Sequence, residues 1–266
     1  MMNGAPSRTQ ADRADQTRAR ILEAAVNEFS ANGLAGARTE QIAEAAGVNK
    51  ALLYYYFQSK HALYDAALQS VATRVLTSGL AAIESNCSAG ERLVQFALNH
   101  FDRIHSQQGF QSLMQQEMIR LRLGEENAIG PIVEKVFRPM MGRLEAVYQD
   151  GRASQELVDV DEWQIMYAAL GANVFYFLSA PVMSLLTGRD FFERSTLENR
   201  RRVAVEYLGK TIFNDREHGA RVAERVLAAT PMPEPAPIET HPLGTGKRGN
   251  PRHEIDVRKT DEVRQK

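Results

Sequence analysis

The sequence is poor in the residues and motifs on which most enzymes and secreted proteins depend. It has one cysteine, Cys87, so it can form neither an intrachain disulfide nor a thiolate metal cluster, which suits a reducing cytoplasm. The histidines are scattered, and the five-residue spacing of His100 and His105 does not align metal ligands on a helix. No glycine-rich phosphate loop, nucleophile elbow or His-Glu-x-x-His helix occurs. We therefore expect no catalytic residue, no metal and no cofactor, and a protein that is not an enzyme.

Long apolar runs and an excess of one charge are also absent. No apolar run has the length of a membrane-spanning helix, and the N-terminus lacks the apolar core of a signal peptide. The 32 basic and 33 acidic residues leave a formal net charge of −1, so composition alone does not indicate nucleic-acid binding. Because 44% of the 266 residues are hydrophobic, the chain can bury a substantial core. These features predict a cytoplasmic globular protein with no membrane partner.

Residues 39–60 have the pattern of a helix-turn-helix motif. Thr39 is an expected N-cap of the first helix, and Gly47 suits the left-handed turn that ends it. Asn49 is expected to cap the second helix, and Ser59 to cap a third. This order of caps and glycine predicts two short helices at a fixed angle, followed by a longer helix.

The second helix of this motif combines an apolar face with a face free for DNA. Leu53 and Phe57 are expected to point inward, whereas the residues at its N-terminus would face base edges in a major groove. There Lys50 can donate to guanine O6 and N7, and Ala51 can contact a thymine methyl group. The tyrosines at 54–56 suit phosphate contacts. Alternatively they only pack against neighbouring helices, but the surrounding cap and glycine pattern favours DNA binding.

The segment 45–64, AAGVNKALLYYYFQSKHALY, resembles the signature of the TetR/AcrR family of transcriptional regulators. The resemblance extends to the preceding helix through RILEAA at 20–25, Phe29 and Gly33, and it is strong over about residues 16–66. The sequence departs from the pattern at Leu34, where an aromatic residue is frequent, and at Leu52, where threonine is common. The DNA-facing residues that this resemblance implies are Thr39, Lys50, Ala51, Leu52, Tyr54, Tyr55, Tyr56 and Lys60.

The pattern along the chain predicts an all-α protein, in which an N-terminal three-helix helix-turn-helix domain joins a C-terminal helical bundle for ligand binding and dimerisation. We expect a flexible arm at 1–14, the DNA-binding domain at 15–62, the bundle at 63–216, and a mostly disordered, Pro-rich charged tail at 217–266. A helical extension as far as residue 229 is the alternative for the start of that tail. Helices are predicted at 16–32, from 60 onward, and at 90–106, 110–123, 128–150, 160–186 and 192–214, with kinks or interruptions at Pro139 and Pro181.

The predicted helix at 160–186 is apolar nearly all round, so it must be covered on several sides. Family resemblance implies that it forms a four-helix homodimer interface together with the helix at 192–214. The arginine run Arg200–Arg202 is interpreted either as a solvated face or as a source of ion pairs across that interface. We therefore expect a second copy of the chain to be one partner, with double-stranded operator DNA as another.

The interior of the bundle is the expected place for a small effector, because helix bundles hold ligands between facing helices. An inward polar group requires a partner, and methionines suit an adaptable apolar site. A mainly hydrophobic or aromatic effector fits this composition, although apolar residues of this kind are more often plain core than pocket wall. The candidate ligand-binding residues are Phe101, His105, Phe110, Met114, Glu117, Met118, Arg120, Trp163, Tyr167, Asn173, Tyr176 and Phe177.

The favoured hypothesis is a homodimeric repressor that a small effector releases from a near-palindromic operator. One alternative is an all-α carrier or enzyme that uses the bundle cavity, with structural N-terminal helices. A further alternative keeps DNA binding and replaces the small ligand by a protein partner or by none. Sequence-selective, salt-dependent DNA binding discriminates the first two hypotheses.

Overall fold

The computed structural model describes residues 10–234, and all structural statements concern that range. Within it, twelve α-helices and two π-helical turns form the fold, and an isolated antiparallel bridge between Leu157 and Phe213 is the only β pairing. The all-α prediction is confirmed.

The helices follow one another with short connections. The first four are α1 (Gln10–Gly36), α2 (Thr39–Ala45), α3 (Lys50–Phe57) and α4 (Lys60–Ile83). The next four are α5 (Ala89–Ser106), α6 (Gln108–Arg122), α7 (Ile129–Ile132) and α8 (Arg138–Ala153), and the last four are α9 (Glu162–Met166), α10 (Ala172–Thr187), α11 (Arg194–Ile212) and α12 (Arg216–Ala229). The π-helical turn Val133–Phe137 joins α7 to α8, and Tyr167–Gly171 joins α9 to α10.

The helix-turn-helix shares its core with the second domain. Phe29 of α1 and Tyr64 of α4 meet edge to face, with ring centroids 5.0 Å apart. Leu113 and Met114 of α6 belong to the same buried cluster, which also contains Leu53 of α3. Because interiors are close-packed, a displacement of α6 or α4 also changes the packing of the helices that carry the DNA-facing residues.

A second core holds the C-terminal helices together. It buries side chains from α5, α8, α11 and α12, among them Phe96, Val147, Val205 and Val222. Helices α11 and α12 approach closely at two glycines, since a Cβ on Gly209 would lie 2.5 Å from the carbonyl oxygen of Gly219. Any larger residue at that crossing would push the two helices apart.

Two predicted boundaries are wrong. The segment 217–229 is not part of a disordered tail, and the alternative of helix as far as residue 229 is confirmed: the segment belongs to α12, where Val222, Ala223 and Val226 are buried and Asp215 caps the N-terminus. The apolar face is narrow and interspersed with charge, so composition concealed it. Residues 10–14 of the predicted arm are helical, because α1 begins at Gln10. The rest of the arm (1–9) and the tail residues 235–266 lie outside the described residues.

The prolines behave differently from each other. Pro139 occupies the first turn of α8, directly after the π-helical turn, so the predicted interruption is confirmed there. Helix α10 runs through Pro181 without a break, so an interruption at that position is wrong.

Two helical segments, Lys60–Ile83 and Glu162–Thr187, have the length and apolar composition that could cross a membrane, contrary to the expectation that no such run exists. Lys60–Ile83 is a core helix whose buried residues join the two domains. Core helices of soluble proteins satisfy the same criteria, so these segments are weak indications of a membrane.

Candidate DNA-binding surface and effector cavity

Local capping sets the angle between α2 and α3. Gly47 has φ +64 in the turn between them, a left-handed conformation that glycine adopts without steric cost. The Asn49 carboxamide oxygen accepts from the backbone N–H of Leu52 at 2.7 Å, and the Ser59 hydroxyl accepts from that of Ala62 at 3.0 Å. The predicted roles of these three residues are confirmed. Thr39 is not the N-cap of α2: the cap is Arg38, without a side-chain bond, and Thr39 is the first helical residue.

Helix α3 buries one face and exposes the other. Leu53 and Phe57 are fully or nearly fully buried, as predicted. Among the expected DNA-facing residues, Lys50, Ala51 and Leu52 are exposed, Tyr54 and Tyr56 are half-buried, and Tyr55 is 79% exposed. Lys60 lies at the start of α4, where its ammonium group donates to the carbonyl of Ala35 at 3.1 Å. The N-terminal half of α3 therefore presents a continuous surface to solvent.

Four side chains connect α2 to the start of α3. The ammonium group of Lys50 pairs with the carboxylate of Glu40 and lies 5.9 Å from the ring centroid of Tyr54. The hydroxyls of Tyr54 and the buried Thr39 are 3.2 Å apart. The hydrogen bond from Lys50 lowers the pKa of Glu40, and the same bond raises the pKa of Lys50. Because both charges are largely exposed, this pair is weak.

The ligand candidates on α6 line neither of the two concave surfaces described below. Phe110 and Met114 pack into the core shared with the DNA-binding helices, and Met118 is exposed. Glu117 is 0% exposed and accepts a hydrogen bond from the Tyr64 hydroxyl at 2.8 Å and another from Arg120 at 2.9 Å. Burial, followed by the bond to Glu117, raises the pKa of the Tyr64 hydroxyl. These residues fasten α6 to α4.

A second group of candidates forms a small aromatic cluster between α5 and α10. The ring centroids of Phe101 and Phe177 are 5.2 Å apart, and those of Tyr176 and Phe177 are 5.4 Å apart. Asn173 is buried and donates to the carbonyl of Ala97 at 3.2 Å. His105 is buried as well, and its Nδ1 has no hydrogen-bond partner within the described range. Burial lowers the pKa of His105.

An apolar cavity lies between α5, α8, α9 and α11. Together with the open solvent at its mouth, its empty space is about 680 Å³. Trp163 is the sequence-predicted ligand residue on its wall, whereas Tyr167 is exposed on the adjoining π-helical turn. Sequence reasoning missed the α8 side of the wall, because the spacing of its residues is that of any amphipathic helix. The lining residues are Leu93, Phe96, Ala97, Met141, Leu144, Glu145, Tyr148, Glu162, Trp163, Ile165, Met166, Ala169, Leu170, Leu208 and Ile212.

A groove beside this cavity runs between the α9–α10 segment and α11, over α5. Phe101 and Asn173 line it, so two more of the ligand candidates reach a concave surface. Arg200 lies at its edge with its guanidinium 5.4 Å from the ring centroid of Tyr176. The twelve candidates therefore do not converge on one site: three line concave surfaces on α5, α9 and α10, and others hold α6 in the core.

Helix α10 has an apolar stripe that nothing in the described chain covers. Phe175, Leu178, Val182 and Leu185 follow one another at helical spacing, and all are exposed. Tyr207 of α11 is exposed too. A contiguous exposed apolar surface on a globular protein marks an interaction site.

Comparisons with known proteins assign the N-terminal and C-terminal parts of the fold to the same protein family. Residues 21–67 match the bacterial regulatory proteins of the tetR family, and residues 90–208 match the tetracyclin repressor-like C-terminal domain. The HTH-type transcriptional regulator RutR of Escherichia coli (strain K12) is 30% identical over 197 residues, which are 70% of this chain and 87% of RutR. The HTH-type transcriptional repressor NicS of Pseudomonas putida is 45% identical over 62 residues, which are 23% of this chain and 29% of NicS.

Among solved structures, a TetR/AcrR-family regulator from Thermobifida fusca YX-ER1 superimposes with a TM-score of 0.53 at 22% identity, covering 72% of this chain and 95% of that one. That likeness concerns the fold, whereas the match to RutR reaches 30% identity over most of both chains. Helix α12 lies beyond the residues that match the C-terminal domain of the family. The chain belongs to the TetR family of bacterial transcriptional regulators, which bind DNA through their helix-turn-helix.

Proposed function

We propose that this protein is a homodimeric repressor that binds a near-palindromic operator and is released by a small, mainly hydrophobic effector. The observation that carries the proposal is the capped helix α3, whose N-terminal half is exposed while Leu53 and Phe57 anchor it in the core. A helix presented in this way fits the major groove with its first residues towards the bases. Such a protein acts in the cytoplasm, where the operator DNA is.

The proposed DNA contacts divide into two kinds. Lys50 and Ala51 face base edges, with Leu52 offering van der Waals contact. Thr39, Tyr54, Tyr55, Tyr56 and Lys60 contact or position the sugar-phosphate backbone. Thr39 acts in part through Tyr54, because its buried hydroxyl lies against the tyrosine hydroxyl. Backbone contacts fix register, whereas base contacts specify sequence.

Two copies of the chain are needed to read a palindrome. The apolar stripe on α10 is suited to face its own copy in a symmetric dimer, because an isologous interface uses the same patch on both subunits. The stripe lies in the bundle and leaves α3 free. We therefore propose that the paired subunits place two α3 helices in successive major grooves.

Effector release requires a route from the bundle to α3. The apolar cavity is bounded by α5, which packs against α4. Helix α4 in turn shares a core with α1 and α3 and is tied to α6 through Tyr64 and Glu117. An effector that binds better to the arrangement with the wrong spacing of the two α3 helices would lower operator affinity by linkage.

Selection of bound sequences from random DNA, followed by a salt titration on the best site, tests this function. A near-palindrome with steep salt dependence is the expected result, since several phosphate contacts release counterions. Folded protein that selects no sequence, after removal of any copurified ligand, would overturn the DNA-binding proposal and support the carrier or enzyme hypothesis.

Replacement of Lys50 by alanine should change base preference and not only affinity. Loss of its contact with guanine should reduce discrimination at one operator position by about fivefold or more. The matched control is Tyr55→Phe, which removes an exposed hydroxyl and should weaken binding to all sequences alike, by about threefold to tenfold. Competition binding against single-base operator variants measures both effects. Unchanged relative affinities for Lys50→Ala would refute its role in reading bases.

A further inference from the structure

The apolar cavity has an unbalanced charge. Two of its lining residues, Glu145 of α8 and Glu162 of α9, carry carboxylates, whereas no lysine, arginine or histidine of the described chain lines it. All the other lining side chains are apolar or aromatic, and the one hydroxyl among them, that of Tyr148, is occupied by the carbonyls of Val158 and Val160. A ligand in this space therefore meets negative charge and apolar surface.

Neither carboxylate has an ion-pair partner within the described residues. Other glutamates of the same domain do: Glu91 pairs with Arg225 at 2.7 Å, and Glu134 pairs with Arg138 at 2.7 Å. Glu145 is exposed and Glu162 is half-buried, so two carboxylates without an ion-pair partner lie beside the apolar lining. Burying them under an anionic or a neutral ligand costs desolvation without a compensating partner, whereas a cation would supply one.

The aromatic residues of the wall point to the same class of ligand. Phe96, Tyr148 and Trp163 all line the cavity, and Trp163 directly follows Glu162 in α9. The faces of aromatic rings attract organic cations, tryptophan most strongly. Met141 and Met166 add polarizable side chains that adapt to irregular apolar groups. Carboxylates and aromatic rings around an apolar space are complementary to a positive charge on a hydrophobic body.

We propose that the apolar cavity binds a lipophilic organic cation, whose charged group contacts Glu145 and Glu162 and whose apolar body packs against Phe96 and Leu208. This inference rests on the proposed effector function and names its ligand class.

Trp163 is the single tryptophan of the chain, so the tryptophan fluorescence of the protein comes from one residue on the wall of this cavity. The probes share one phenylalkyl body and differ in charge: (4-phenylbutyl)trimethylammonium, 4-phenyl-1-butanol and 5-phenylpentanoate. Titration of the full-length protein with each should give saturable Trp163 changes, with the cation binding at least about tenfold more tightly than the alcohol and the carboxylate binding weakest.

Variants that remove one carboxylate charge show how much of the ligand affinity depends on charge rather than on the shape of the cavity. Glu145→Gln and Glu162→Gln should each weaken binding of the cation by about threefold to tenfold while leaving the alcohol unchanged. Glu224→Gln is the matched control, since Glu224 is an exposed residue of α12 away from the cavity, and it should change none of the three affinities. Circular dichroism of each variant confirms that the fold is retained.

The outcomes distinguish this inference from the function on which it rests. If the alcohol or the carboxylate bound as tightly as the cation or more tightly, the proposed preference for a cation would be wrong. The cavity would still be an effector site. If none of the three probes changed Trp163 fluorescence, the cavity would be excluded as the site for this ligand class, and the inference would fail whatever the operator experiments show. If the protein bound its operator without probes and released it when the cation was added, the result would support both the cationic ligand and the proposed function.

Discussion

Replacing Arg201 by alanine should lower the free energy of unfolding by about 3–5 kcal/mol. The Arg201 guanidinium donates to both carboxylate oxygens of Asp102 at 2.6 and 2.7 Å, and both residues are buried. It also donates to the carbonyl of Thr230 at 2.8 Å, just beyond α12. Truncation would leave a buried carboxylate without its partner and would detach the end of α12 from α5 and α11.

The neighbouring residue is the control. Arg202 is exposed and pairs with Glu206 one turn along the helix at 2.8 Å, so Arg202→Ala should cost at most about 0.5 kcal/mol. The double variant Asp102→Leu, Arg201→Met should be less destabilised than Arg201→Ala, because it removes both charges together. Urea unfolding followed by circular dichroism at one fixed protein concentration measures all three. Equal decreases in the free energy of unfolding for Arg201→Ala and Arg202→Ala would show that the buried ion pair stabilises the fold no more than the exposed pair does.

This arginine run shows where sequence reasoning stops. Arg200–Arg202 were interpreted as a solvated face or as ion pairs across a subunit interface, and neither hypothesis describes all three. Arg200 stacks on Tyr176, Arg201 is buried against Asp102, and Arg202 is solvated. The partners of the first two lie far away in the sequence, so only the packing of α5, α10 and α11 determines which arginine turns inward.

The helix-turn-helix was predictable because its determinants are local. A cap bonds within three residues, a left-handed glycine ends its own helix, and Leu53 and Phe57 lie one turn apart. The cavity was not predictable, because four helices that are distant in sequence form its wall. Glu117 illustrates the difference: its inward position was expected, but its partner is Tyr64 of the helix that joins the domains, and no ligand is needed to satisfy it.

Leu178→Glu should convert the proposed homodimer to a monomer and weaken binding to the full operator by about 100-fold or more. Leu178 lies in the middle of the apolar stripe and is 56% exposed in the single chain. Pairing two stripes would bury it, and a carboxylate there would then be desolvated and would face its symmetry mate. Because the side chain is exposed in the subunit, the fold itself should tolerate the change. Light scattering gives the mass, and binding to full and half operators gives the two affinities.

A charge on a different apolar surface provides the comparison. Leu123, at the end of α6, is 63% exposed and lies outside the stripe, so Leu123→Glu should leave both the dimer and the operator affinity unchanged. Affinity for a single half-site should be the same for Leu178→Glu and the unmodified protein, because α3 and its core are untouched. A Leu178→Glu protein that remained dimeric would remove the stripe from the subunit interface. A monomer that bound the full operator as tightly as before would instead refute the need for two linked α3 helices.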